Sequence, residues 1–164
     1  MKYVHVYRTG AIMKRLRETW LAALLATALG IPGTVTRAAD PAVVQVFKSP
    51  TCGCCAIWVD HFRESGFQVD VTEQADMAPV KQRFGIAPQH ASCHTAVVNG
   101  YIVEGHVPAA DIARLLEERP KIKGLVLPGM PIGSPGMEGP SPERYDVLAL
   151  DASGATRVFA THKP

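Results

Sequence analysis

Three of the four cysteines in this 164-residue chain fall within four positions, Cys52-Gly53-Cys54-Cys55, and the fourth, Cys93, directly precedes His94. Thiolate sulfur is both a nucleophile and a soft metal ligand. Cys52 and Cys55 have the C-x-x-C spacing of a redox dithiol, while Cys52 and Cys54 have the C-x-C spacing of a metal clamp. Three cysteines this close cannot all pair locally within the geometry a disulfide requires. The third is surplus to a simple disulfide mechanism, which favours metal. Met130 and Met137 lie in a Gly/Pro-rich stretch that could fold over the cysteines and supply thioether sulfur. Thiolate with thioether selects Cu(I), whereas thiolate alone also suits zinc or an iron–sulfur cluster. Closely spaced thiolates can bridge several Cu(I) ions, so a polynuclear site is compatible with the spacing.

The elements around these residues are legible from hydrophobic periodicity. Val43 to Lys48 is a short β-branched run, expected to be a buried strand. Ser49-Pro50-Thr51 is a turn, and Cys54 to Ser65 then has helical spacing, with Cys55, Trp58, Val59 and Phe62 on one face and Gly66 as the stop. The amides at such a helix start favour negative charge and hence thiolates. Phe67 to Thr72 alternates as a second strand, and Asp76 to Phe84 is a short helix. Thr95 to Val98, the Asn99-Gly100 turn and Tyr101 to Glu104 form a hairpin. Pro108 to Arg119 is a helix with Ile112, Leu115 and Leu116 buried. This order defines an α/β domain over 40–120, a thioredoxin-like four-stranded mixed sheet with flanking helices. Cys93 and His94 then enter the third strand facing the CGCC turn. Residues 120–142 contain six Pro and five Gly and are expected to be irregular. They belong to a C-terminal extension, 121–164, that packs on the same domain and ends in a hairpin of Tyr145–Leu150 and Thr156–Ala160.

Residues 1–38 read as an address. Lys14, Arg15 and Arg17 precede a twelve-residue apolar run from Trp20 to Ile31, and Thr36 and Ala38 suit a cleavage site. That is the layout of a secretory signal peptide, too short to span a bilayer comfortably. Residues 1–12, ahead of Met13, fit an over-long start. The expected mature chain is periplasmic and has no membrane span. It carries 11 basic and 14 acidic residues from position 39 onward, which argues against a nucleic-acid partner. Asp60 and Glu64 read as a solvated helix face rather than a hydrolytic carboxylate pair.

KSPTCGCCAIWVDHFRESGF, DMAPVKQRFG, SCHTAVVNGYIVEGHVPAADIARLLEERP, GLVLPGMPIGSPGMEG and YDVLAL together resemble the CopG-type copper-resistance proteins. The resemblance covers nearly all of 43–162. It implies a periplasmic thioredoxin-like domain with a metal-binding C-terminal extension, copper near the CGCC motif, and interconversion of Cu(I) and Cu(II) in support of copper efflux systems or other periplasmic copper proteins. Cys52, Cys54, Cys55, Cys93, His94, Met130 and Met137 match the family pattern and form the expected ligand set, with Cys52 and Cys55 as redox candidates. His106 and His162 are weaker ligand candidates: the first follows a strand and reads as a capping or surface residue, the second lies near the C-terminus. The rival readings are a metal-free thiol–disulfide oxidoreductase using Cys52 and Cys55, a passive copper buffer or chaperone, and a structural zinc site.

Overall fold

The computed structural model describes residues 42–163, and the leader and alternative start read in 1–38 lie outside them. Strand β1 (Val43–Lys48) is followed by helix α1 (Gly53–Glu64) and strand β2 (Gln68–Glu73), which pairs with β1 in parallel. Helix α2 (Ala78–Arg83) and a 3-10 turn (Pro88–His90) lead into the hairpin β3 (Thr95–Val98) and β4 (Tyr101–Glu104). Helix α3 (Ala109–Glu118) crosses to β5 (Gly124–Val126), which is parallel to β4, and the hairpin β6 (Tyr145–Leu150) and β7 (Thr156–His162) completes the sheet.

The expected four strands are present in the order β2-β1-β3-β4, but the sheet does not stop there: it continues through β5, β6 and β7 to seven strands. The correction comes from Gly124–Val126, inside the segment read as irregular. Its glycine and short length hide the strand, yet all three residues are buried between β4 and β6. Gly124 is required there, because a Cβ would sit 1.9 Å from the Ile102 carbonyl oxygen. The terminal hairpin thereby becomes part of the main sheet.

The core forms where the sheet meets α1 and α3. Trp58 and Phe62 of α1, Val44 and Val46 of β1, Ala96 and Val98 of β3, Ile112 and Leu115 of α3, and Leu125 of β5 are all essentially inaccessible. Truncating either aromatic residue to alanine would cost about 3–5 kcal/mol. Strand β2 is mostly exposed, as befits an edge strand.

The strand directions decide what gathers at each end. β1 runs antiparallel to β3, with Phe47 opposite Thr95, so the residues after β1 and those before β3 share one pole. β3 and β4 are antiparallel, with Thr95 opposite Glu104, so the residues after β4 arrive there too. β5 is parallel to β4, with Val126 beside Glu104, and delivers the Gly/Pro-rich segment to the same pole.

Candidate metal centre

The CGCC segment leaves β1 through a tight turn closed by the Cys52 amide, which donates to the Ser49 carbonyl at 3.1 Å. Cys52 is the N-cap of α1, Cys54 lies in its first turn, and Cys55 faces the core, fully buried. Cys93 and His94 occupy the approach to β3, and His106 comes two residues after β4. The Gly105 amide donates to the His94 carbonyl at 3.0 Å, extending the hairpin ladder and setting the two histidines side by side. Their ring centroids are 5.0 Å apart.

Two overlapping groups of potential ligand atoms result. One is Cys52, Cys54, Cys55 and Cys93; the other is Cys55, Cys93, His94 and His106. Within each group all atoms lie within 4.8 Å of one another, close enough to hold a metal ion. Cys52 and Cys55 are joined by a disulfide, while Cys54 and Cys93 are free. The Cys54 sulfur is 3.5 Å from that of Cys52.

The two histidines are in the protonation state that ligates, whereas Cys93 must lose a proton to do so. Burial pushes the Cys93 thiol up to about 11, helped by the neighbouring Cys54. His94 is held well below the usual histidine range by burial, and then by the proximity of His106, Lys81 and Lys48. His106 is also lowered by burial. Both imidazoles are therefore neutral near neutral pH, the form that binds metals. His106 Nδ1 donates to the Pro135 carbonyl at 2.7 Å, which leaves the Nε2 lone pair facing the Cys93 sulfur at 2.8 Å. An outer-shell carbonyl fixing a histidine tautomer is the usual support of a metal ligand. His94 Nδ1 lies 3.4 Å from the same sulfur, and its Nε2 is buried with no hydrogen-bond partner. A donor set of sulfur and neutral imidazole fits a soft or borderline metal.

The Gly/Pro-rich segment seals one side. Gly136 lies so close to α1 that a Cβ would stand 2.5 Å from the Cys54 carbonyl and 3.3 Å from His106 Nδ1, and its φ of +81° independently favours glycine. Glu138 accepts hydrogen bonds from the Gly136 amide at 2.8 Å and pairs with His61 at 2.7 Å. These contacts hold the carboxyl of Glu138 below its usual range despite the opposing effect of desolvation, which is the largest single influence on it. Met137 is half-buried in this turn, whereas Met130 is about half exposed.

The structure thus brings Cys52, Cys54, Cys55, Cys93 and His94 together, and raises His106 from a weak candidate to a fully buried member. His162 is placed elsewhere: it bonds to Asp111 at 2.7 Å and stacks on Tyr145. Glu104 had no signal in the sequence beyond its place at a strand end. Its carboxylate accepts from the Ser92 amide at 2.7 Å, from the Thr95 hydroxyl at 2.6 Å and from the Lys81 ammonium, clamping both sides of Cys93-His94. Only the assembled hairpin reveals that role.

Fold and site together define a mixed α/β protein with a cysteine/histidine cluster able to bind metal at one pole of its sheet. The family described as "Protein of unknown function, DUF411" matches residues 90–137. Two solved structures, both described as copper resistance protein CopG and designated forms 2 and 1, are 45% and 44% identical to this chain. They cover 75% and 76% of it and 99% and 100% of their own lengths, each with a TM-score of 0.71. No curated protein matches. The chain belongs to the CopG copper resistance protein family. Among the described residues, no helix is long and apolar enough to cross a membrane.

Proposed function

We propose that this is a periplasmic copper protein that binds copper through Cys52, Cys54, Cys55 and Cys93 and interconverts Cu(I) and Cu(II). The observation that carries the reading is the convergence of four sulfurs with two buried imidazoles. Thiolates stabilise Cu(I), and imidazole tolerates Cu(II) as well. His94 and His106 complete the shell on the core side. Met137 and Met130, on the Gly/Pro-rich segment, are the proposed thioether donors, which would favour Cu(I). Several bridging sulfurs suit more than one ion. The strand order β2-β1-β3-β4, with the cysteine turn after β1, supports a thioredoxin-like ancestry for the site. The leader in 1–38 supports export, and copper efflux systems or other periplasmic copper proteins are the natural partners.

The test is metal analysis and an optical spectrum of the protein isolated from copper-grown cells without chelator, beside a Cys54→Ser/Cys93→Ser variant. Copper with sulfur-to-metal absorption in the wild type, and its loss in the variant, is expected. Equal and negligible copper in both would refute the reading.

The Cys52–Cys55 disulfide at a helix start favours a second reading, a metal-free thiol–disulfide oxidoreductase. Disulfide turnover that survives chelation and does not need Cys54 or Cys93 would replace the copper reading with this one.

A further inference from the structure

The disulfide removes two of the four sulfurs from the cluster and leaves the other two in place. Cys52 and Cys55 are paired with a Cα–Cα distance of 5.4 Å, inside the range a disulfide needs. Cys54 and Cys93 remain thiols, and Cys93 still faces His106 Nε2 at 2.8 Å and His94 Nδ1 at 3.4 Å. The pole can therefore be oxidised by two electrons and still keep Cys93 beside two imidazoles, with the Cys54 sulfur close to that of Cys93, as donors for copper.

We infer that the Cys52/Cys55 dithiol is the electron source for Cu(II) arriving at this site, so that one chain reduces two Cu(II) to two Cu(I). The inference rests on the copper reading above. The balance is closed: the two S–H bonds of Cys52 and Cys55 break, two protons leave, one S–S bond forms, and one electron passes to each of two Cu(II). No other oxidant enters, because Cu(II) is itself the acceptor.

Three observations select this pair. Cys52 sits at the N-cap with extended backbone and closes back over one helical turn onto Cys55. Cys55 is fully buried, so its oxidised sulfur is shielded from external thiols, and exchange must begin at the half-buried Cys52. Cys93 is engaged by the two histidines and Cys54 stands outside the pair, which suits them to hold the reduced ion rather than to be consumed. The direction follows from softness: thiolate sulfur stabilises Cu(I) over Cu(II), so the remaining sulfurs favour the reduced product.

The experiment uses the full chain, reduced and freed of reductant under anaerobic conditions, with two Cu(II) added per chain. Three results are expected together. The Cu(II) EPR signal disappears, two Cu(I) per chain are captured by a Cu(I)-specific colorimetric chelator, and mass-spectrometric mapping after alkylation shows Cys52 joined to Cys55 with Cys54 and Cys93 alkylated. Cys52→Ser places a preferred N-cap residue at the helix start and should fold; its initial rate of Cu(I) formation should drop at least about tenfold. A Cys55→Ala variant should show the same loss. Copper retained as Cu(II) with four alkylated cysteines would overturn the inference while leaving the copper reading intact. Cu(I) formation with Cys54 joined to Cys93 would do the same. Retention of neither oxidation state would overturn both.

Discussion

Cys93 belongs to both ligand groups, and its proton decides how the cluster meets a metal. The thiol is pushed up to about 11, so in the metal-free protein with Cys52 and Cys55 joined it is protonated throughout the physiological range. Coordination needs thiolate, and binding must expel that proton. Between about pH 6 and about pH 8, the apparent Cu(I) affinity should therefore rise roughly tenfold per pH unit for each thiol that enters the shell. Competition against a chromophoric Cu(I) chelator at several pH values reads this directly, and a flat profile would place Cys93 outside the shell. At this scale the sequence was informative wherever ligand atoms are close along the chain. The CGCC run and the Cys93-His94 pair announce themselves by adjacency. His106 does not, because its 13-residue separation from Cys93 is closed only by strand pairing.

The hairpin β3–β4 carries both halves of that meeting, and its end is held by Glu104. This carboxylate is fully buried, and its Ser92 and Thr95 donors flank the two ligands on either side. Lys81, from α2, supplies the balancing charge. Breaking a buried pair from one side costs more than removing both partners, because the remaining charge is stranded. Lys81→Met is expected to lower stability by about 3 kcal/mol, and Lys81→Met/Glu104→Gln by clearly less. Urea unfolding measures both; equal losses would mean that the charge is not what the clamp relies on. Periodicity located most elements well, because α1 and α3 each bury one stripe and the β3–β4 turn has a strong signature. It failed at β5, where three residues are too few for a period and the flanking prolines point to a loop.

Across the whole molecule, the seven-stranded sheet ties the C-terminal hairpin to the site. β5 is covered on its outer edge by β6, and Val147, Ala149 and Leu150 of β6 are buried. Arg114 of α3 reaches the Phe159 carbonyl at 2.9 Å, and Asp111 holds His162. A chain ended at Pro142 would bare the edge of β5 and the apolar residues beside it, a template for pairing with other chains. It is expected to aggregate or dimerise, as size-exclusion chromatography with light scattering would report. A monomeric, cooperatively folded product would show that the hairpin is dispensable. The sequence reading treats 121–164 as an extension of the domain. It did not anticipate sheet continuity, since edge-to-edge pairing depends on which neighbour a strand finds and not on its own pattern.

The Asn99-Gly100 turn lies at the end of the hairpin away from the cysteines, with both residues at positive φ, 46° and 84°. Four residue pairs separate it from the metal pole, roughly 13 Å of strand. Because side chains alternate with a period of two, one inserted residue there would slide the strands out of phase and turn the His106 imidazole away from the Cys93 sulfur. A bend that touches no ligand is thus the ruler for the nitrogen–sulfur spacing at the other end.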